Sequence, residues 1–290
     1  MAAPAGSTAA SADSMAAPVA QPSGDLALLR LLQLGDSGFP SGAYTLSHGL
    51  ETLVADGVVR GGDALPGLIE VHLLARFARS DLVSLLAAHD AARDATHGAT
   101  RAAARAAGSD AARDAARDAA PAAPAADDAA HLVDADRRIT SIDRRLTASK
   151  LAADERLGSE RVGRRLAVEV SRLVPADRIV AFLAAVEAGM TPGNAAVAFG
   201  LAGQALGIDR RRTALAAASA QVMGLVAAAV RLGLIGHGAG QACIAGAAPV
   251  IVAALDLASS RDWRELRPSA PQLDIALARH ERAPTRSFVS

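Results

Sequence analysis

The chain contains very little cysteine, aromatic residue or lysine. Cys243 is the only cysteine and Lys150 the only lysine among 290 residues, so no disulfide can form within the chain. Aromatic residues make up 2% of the sequence, and its 30 basic and 30 acidic residues cancel. Nucleic-acid binding normally requires a basic patch, often with interleaved aromatic residues. We therefore expect no nucleic-acid partner, and the single cysteine fits a reducing cytoplasm.

The sequence also lacks a recognisable targeting or membrane segment. Residues 1–24 are rich in Ala, Ser and Pro, without a basic start or a leucine-rich core, which predicts a disordered leader rather than a signal peptide. The longest apolar stretches, 214–230 and 242–255, consist largely of alanine and are interrupted by polar residues, Gly or Pro. Because alanine contributes little to membrane insertion, we expect buried helices there and no membrane span.

Alanine supplies much of the hydrophobic half of the composition, and it favours helix more than any other residue. Apolar residues recur at helical spacing in about ten segments, one of them a single helix at residues 238–258, and no period-two pattern persists. This predicts an all-α fold, a single globular bundle of about ten helices within residues 25–290. Residues 91–130 carry three Ala-Ala-Arg-Asp units and almost no large apolar side chains, which indicates a low-complexity insertion.

The most informative segment runs from residue 31 to residue 51. A leucine-rich helix stops at Gly35 and Gly38, and Phe39 and Pro40 follow immediately. Two glycines with two turn formers give more backbone freedom than a helix connection needs. We predict a loop that presents side chains. Its candidate functional residues are Pro40, Gly42, Tyr44, Ser47, His48 and Glu51.

A second segment lies at residues 159–166. Ser159 and Gly163 stand four residues apart on one helix face, where another helix can approach closely. Arg161, Arg164 and Arg165 flank this strip. The pattern alone allows either a packing seam with solvated arginines or a partner-binding surface.

Two further candidates lie toward the C-terminus. Arg231 ends an apolar helix before a glycine-rich loop that leads to Gln241, and it either contacts a partner or offsets the helix dipole. The last residues include Arg282, Arg286 and Phe288. An exposed tail with one aromatic residue and two arginines predicts a docking peptide that becomes ordered on binding.

Together these segments resemble the signatures of the UreF family of urease accessory proteins. That family has similar runs of the form Pro-x-Gly with Ser-x-Gly-Leu-Glu, Glu-x-Arg-x-x-Ser-x-x-x-Gly-Arg-Arg-Leu, Arg-Leu-x-x-x-Gly-Gln and a His-Glu…Arg-Leu-Phe tail. Here His237 replaces a usual glutamine, Ser287 a leucine, and Asn194 and Ala195 stand where histidine is common. The matching residues are Pro40, Gly42, Ser47, Gly49, Leu50, Glu51, Glu155, Arg156, Ser159, Gly163, Arg164, Arg165, Leu166, Arg231, Leu232, Gly236, Gln241, His280, Glu281, Arg286, Phe288 and Ser290.

The resemblance implies a non-enzymatic, cytoplasmic maturation factor that dimerises. Such proteins bind the accessory protein UreD (also called UreH), recruit the GTPase UreG, and couple nickel delivery to apo-urease with GTP hydrolysis. Arg231 and the arginine face at 161–165 would then meet the GTPase, and the tail would meet UreD. The resulting partner-binding set is Arg231, Gln241, Arg161, Arg164, Arg165, Arg282, Arg286 and Phe288.

The histidines do not predict a firm metal site. They occupy positions 48, 72, 89, 97, 131, 237 and 280, without a His-x-x-x-His or His-Glu-x-x-His pair. We expect no tightly bound cofactor. His48 and Cys243 are candidates for contacts with nickel in transit, because imidazole and thiolate both suit that metal. A metal-dependent helical hydrolase and a membrane-associated helical protein are the alternative functions.

Overall fold

The computed structural model describes residues 24–36, 38–113, 126–174, 176–283 and 286–288. These ranges contain twelve α-helices and no strand, which confirms the predicted all-α class. The predicted leader, apart from Gly24, lies outside the described residues, and so do residues 114–125 of the predicted insertion.

The helices are α1 (Gly24–Gly35), α2 (Leu50–Ala55), α3 (Leu65–Val71), α4 (Asp81–Arg113), α5 (Ala126–Ser149), α6 (Ala153–Leu173), α7 (Asp177–Glu187), α8 (Ala195–Ala205), α9 (Arg210–Arg231), α10 (His237–Gly246), α11 (Ala248–Ser259) and α12 (Pro271–His280). Between α3 and α4 the chain passes through a π-helical turn at His72–Arg76 and a 3-10 turn at Phe77–Arg79.

Helix α8 lies at the centre of the bundle, against α4, α6, α7 and α9. Most of its residues are buried, and two are glycines where a neighbour approaches too closely for a side chain. A Cβ at Gly200 would lie 2.4 Å from the Leu85 carbonyl oxygen of α4, and one at Gly203 would lie 2.3 Å from Thr213 of α9. Small residues therefore replace aromatic rings as the means of close packing in this core.

Helix α4 does not end where the low-complexity segment begins. Ala91, Ala92 and Ala95 are buried, and the helix continues to Arg113. Alanine is small enough to pack where helices approach closely, so alanine-rich sequence does not by itself mark exposed chain. The edge of the core in α4 lies beyond residue 91, where the sequence pattern predicted the insertion to start.

Helices α10 and α11 replace the single helix that the sequence predicted from residue 238 to residue 258. The break falls at Ala247, and the two axes are bent by 42°. Pro249 lies at the start of α11, where its missing N–H is tolerated, whereas in a continuous helix its ring would clash with the carbonyl four residues earlier.

Among the described residues, α9 is long and apolar enough to cross a membrane, and α10 with α11 passes the same test as a bent pair. Half of the apolar window of α9 is buried inside the protein. Buried core helices share this composition, so α9 is explained by its packing in the bundle.

Candidate partner-binding site at the junction of loop and tail

The loop between α1 and α2 has an uncommon backbone. Gly42, His48 and Gly49 have positive φ angles of 80°, 52° and 86°, and a positive φ is unusual for a residue with a side chain. The ring of Phe39 is buried at one end of the loop, whereas Tyr44 is 60% exposed. The loop therefore holds one aromatic side chain in solvent. Among the predicted loop residues, Pro40 is exposed, Gly42 and His48 are half-buried, and Ser47 is buried.

Two arginines of α6 contact this loop. Arg165 Nε donates to the Pro40 carbonyl oxygen at 3.2 Å, and Arg161 Nη2 donates to Thr45 Oγ1 at 3.4 Å. With Arg164 they line an open groove of about 720 Å³ along the helix. Neither Arg161 nor Arg165 pairs with a carboxylate in the part of the chain that the structure describes. Their charges are therefore available to an acidic partner.

Arg231, at the end of α9, connects the loop to the C-terminal tail. Its Nη2 donates to the Tyr44 carbonyl oxygen at 2.5 Å. Its guanidinium carbon lies 4.3 Å from the centre of the Phe288 ring, which is a cation–π contact. The sequence suggested a partner contact or a helix-dipole role for Arg231. The structure adds a third role, since this side chain holds two distant segments together.

The C-terminal tail is not exposed in the way that the sequence predicted. Phe288 is only 6% exposed and packs against the core. The backbone N–H groups of Ser287 and Phe288 donate to the two carboxylate oxygens of Glu51 at 2.7 and 3.2 Å. The prediction of an exposed tail is therefore wrong at Phe288, because the core offers apolar surface to its ring and Glu51 accepts its backbone N–H. Arg282 and Arg286 do lie on the surface.

A charged cluster lies beneath the tail and anchors it. The His280 side chain is 1% exposed, with Nε2 3.0 Å from Glu51 Oε2 and Nδ1 3.3 Å from Asp154 Oδ2. Arg286 Nη1 donates to the same Asp154 oxygen at 2.9 Å. Burial alone raises the pKa of Glu51, but the hydrogen bonds from the two tail N–H groups and His280 together outweigh it and lower that pKa. The segment around Glu51 and the C-terminal tail thus meet at the Glu51 carboxylate.

Ser159 and Gly163 form a packing seam between α6 and the start of α8. A Cβ at Gly163 would lie 2.1 Å from the Gly193 carbonyl oxygen. Ser159 Oγ donates to Asn194 Oδ1 at 3.0 Å and accepts the Ala195 N–H at 3.2 Å. Of the two interpretations that the sequence allowed, these two residues follow the packing one. The arginines beside them face outward and leave the partner-binding interpretation open for the helix flank.

Asp143 of α5 fixes the turn that precedes α8, and sequence reasoning did not single it out. Its side chain is 0% exposed and accepts hydrogen bonds from Thr191 Oγ1 at 2.7 Å and the Gly193 N–H at 2.6 Å. It also accepts the backbone N–H of Asn194 at 2.9 Å and the side-chain amide of Asn194 at 2.8 Å. Asn194 is therefore a buried structural residue.

A cavity of about 150 Å³ lies below the loop. Its walls are mainly apolar, with His48, Asp81 and Gln221 among the polar groups. The His48 and His72 rings lie 4.9 Å apart, and His72 Nε2 is 3.2 Å from Gln221 Oε1. Burial lowers the pKa of His48 well below the usual histidine range and lowers that of His72 to about 4. Both imidazoles are therefore neutral near pH 7.

The candidate nickel contacts do not form one ligand set. His48 lines the cavity, whereas Cys243 lies half-buried in α10 and is not part of the cavity wall. Gln241 is exposed on the same helix as Cys243. Within the described ranges, no group of three or more His, Cys, Asp or Glu side chains is placed to hold a metal ion.

Comparison with known proteins decides the family. The model of the UreF family matches residues 59–248, about two thirds of the chain. The chain belongs to the UreF family. Urease accessory protein UreF of Bacillus sp. (strain TB-90) is 25% identical over 263 residues, which cover 91% of this chain and 99% of that relative.

Other UreF proteins are similar over the same extent. Those of Lachnoclostridium phytofermentans and Yersinia enterocolitica are each 26% identical, over 91% and 90% of this chain and 98% and 97% of their own lengths. The loop at 38–49 and the tail lie outside the range of the family model. The family model therefore gives no information on the contact between loop and tail, which is described from the structure of this chain.

Proposed function

We propose that this protein is a urease maturation factor without catalytic activity of its own, acting in the cytoplasm. Membership of the UreF family and the names of its similar relatives support this role. It binds UreD (UreH), recruits the GTPase UreG, and assists GTP-dependent delivery of nickel to apo-urease. The single observation that carries the proposal is the meeting of loop and tail at Arg231.

We define the loop–tail surface as Tyr44, Arg161, Arg165, Arg231 and Arg286. Tyrosine and arginine are the residue types most enriched in the energetically important centres of protein interfaces. Arg161, Arg165 and Arg231 pair with no carboxylate among the described residues, whereas Arg286 pairs with Asp154. The three unpaired arginines suit an acidic partner. We assign the GTPase to the part of this surface formed by Tyr44, Arg161, Arg165 and Arg231, and UreD to the tail, which includes Arg286.

The two partner sites share a boundary, since Arg231 touches Phe288. A protein that moves the tail therefore also changes the position of Arg231. Binding of UreD and recruitment of the GTPase are consequently coupled through this contact, and disrupting it weakens both.

We further propose a homodimer and a transient role for nickel. Leu28, Leu29 and Leu32 project from α1 with 51%, 63% and 62% of their surface exposed, which is typical of a face that another subunit covers. Nickel passes as cargo and is not retained. Equilibrium dialysis with nickel should show no stoichiometric binding at micromolar concentration, and a tight 1:1 site would contradict this part of the proposal.

Pull-down of UreD and UreG from a reconstituted mixture tests the surface. Arg231→Ala should abolish GTPase capture, and Arg231→Lys should weaken it, because lysine keeps the charge but loses the planar stacking on Phe288. A chain ending at Ala283 should lose UreD. Arg211→Ala, at the opposite end of α9 in an exposed pair with Asp256, is the matched control and should bind normally.

Two results would contradict the assignments. Full GTPase capture by Arg231→Ala would exclude Arg231 from that interface. Unchanged UreD binding by the chain ending at Ala283 would remove the tail from the UreD site. Circular dichroism of each variant, compared with the wild-type chain, establishes that the helical bundle is intact.

A further inference from the structure

The His280 side chain faces a carboxylate on each side. Its Nε2 lies 3.0 Å from Glu51 and its Nδ1 lies 3.3 Å from Asp154, and the ring is almost completely buried. A carboxylate can only accept hydrogen bonds, and a neutral imidazole has a single N–H. Only the doubly protonated ring can therefore donate to both carboxylates at once.

The other charges around this ring are already paired. Directly after α2, Asp56 pairs with Arg279 at 2.7 Å. From α6, Glu155 pairs with Arg76 at 2.7 Å, and Asp154 also accepts Arg286 of the tail.

Beside the ring, Glu281 accepts the Ala153 N–H at 2.5 Å. Glu51 and Asp154 are thus the two carboxylates to which a protonated His280 donates hydrogen bonds.

We propose that the protonation state of His280 controls attachment of the C-terminal tail. With the proton present, His280 holds Glu51 in place to accept the Ser287 and Phe288 N–H groups. Without it, one ring nitrogen presents a lone pair to a carboxylate oxygen, and the contact becomes repulsive. If that oxygen belongs to Glu51, the two tail N–H groups lose their acceptor. If it belongs to Asp154, Arg286 of the tail loses its partner. Either loss loosens the tail, and Phe288 leaves Arg231.

The consequence for partners rests on the proposed function. The attached tail presents Arg231 stacked on Phe288, whereas the released tail presents both groups separately. A rise in pH therefore converts the loop–tail surface from one form to the other. Histidine is the side chain that proteins most often use as a pH-sensitive switch.

Hydrogen exchange in the isolated full-length protein tests the attachment. The Ser287 and Phe288 amides should lose at least about tenfold in protection, relative to their intrinsic rates, between about pH 6 and pH 9, since a charge-assisted hydrogen bond is lost. Amides of α8 should stay protected throughout and show that the bundle is folded. Tail protection that is unchanged over this range would overturn the proposal.

Three variants separate this mechanism from a general loosening. His280→Gln should make tail protection weaker and independent of pH. Asp154→Asn should flatten the pH dependence, because an asparagine amide can donate to a neutral imidazole that still donates to Glu51. His131→Gln, on the exposed side of α5, should keep the wild-type profile. A His280→Gln protein that keeps the wild-type pH profile would contradict the proposal even if Asp154→Asn behaves as expected.

These measurements need no partner, so they are independent of the proposed function. If the tail titrates as expected but UreD and UreG bind equally well at both pH values, the attachment mechanism stands and its role in partner binding is wrong. If tail protection is constant while partner binding changes with pH, the groups that titrate lie elsewhere.

Discussion

Substitution of Gly163 by alanine should destabilise the protein, although the same change in a free helix is favourable. Replacing a helical glycine by alanine normally contributes about 1 kcal/mol of stability. At Gly163, however, the new Cβ would lie 2.1 Å from the Gly193 carbonyl oxygen and 2.5 Å from the Asn194 carbonyl carbon. Backbone atoms cannot yield as a flexible side chain does, so α6 and the turn before α8 must separate by about 1 Å.

The cost follows from what this separation disturbs. Overpacking in a core typically costs about 1–3 kcal/mol. The 3.0 Å bond between Ser159 and Asn194 is buried in the same seam, and losing such a bond costs about another 1–3 kcal/mol. After the helix-propensity gain is subtracted, Gly163→Ala should lower the free energy of unfolding by about 1–5 kcal/mol.

Urea denaturation followed by circular dichroism measures this difference, and Gly224→Ala is the matched control. Gly224 also lies inside a long helix, but a Cβ there would meet no atom within 4 Å. This control should be as stable as the wild type or more stable by up to about 1 kcal/mol. Opposite signs for the two variants would support the packing argument. A Gly163→Ala protein as stable as the wild type would refute it.

Two further stability predictions concern buried ionisable groups. In the folded protein the pKa of His72 is about 4, whereas in the unfolded chain this side chain takes up its proton near pH 6.5. The contribution of His72 to the free energy of unfolding is therefore fully present above pH 6.5, and it should fall by about 2.5 kcal/mol by pH 4.5. Urea denaturation midpoints at the two pH values measure this loss. His48 and His89 act in the same direction, so a His72→Gln protein should lose only part of this dependence, and one with the full dependence would exclude His72 as a source. Asp143→Ala leaves several buried donors without an acceptor and should lower the free energy of unfolding by about 3 kcal/mol or more. The control Asp136→Ala removes only a partly exposed pair with Arg178 and should lower it by less than about 1 kcal/mol. Equal effects of the two substitutions would contradict the buried role of Asp143.

The helical architecture was predictable because its determinants are local. Alanine content and apolar spacing indicate helices, and Ser159 with Gly163 indicates a close contact, whatever element supplies the other side. The break before α11 was also encoded locally by Pro249, and the prediction of one helix there gave too much weight to apolar composition. Similarity to UreF sequences then directed attention to the loop and the tail.

The arrangement of the site was decided by the tertiary structure alone. His280 is separated from Asp154 by 126 residues and from Glu51 by 229, so no local pattern pairs them. The residues of the tail can be read from the sequence, but the environment of Phe288 cannot, because the apolar surface around its ring comes from other helices. A short segment with one aromatic side chain is exposed or buried according to whether the rest of the chain offers acceptors and apolar surface. Only the folded bundle places Glu51 where it accepts the Phe288 N–H and Arg231 where it stacks on the Phe288 ring.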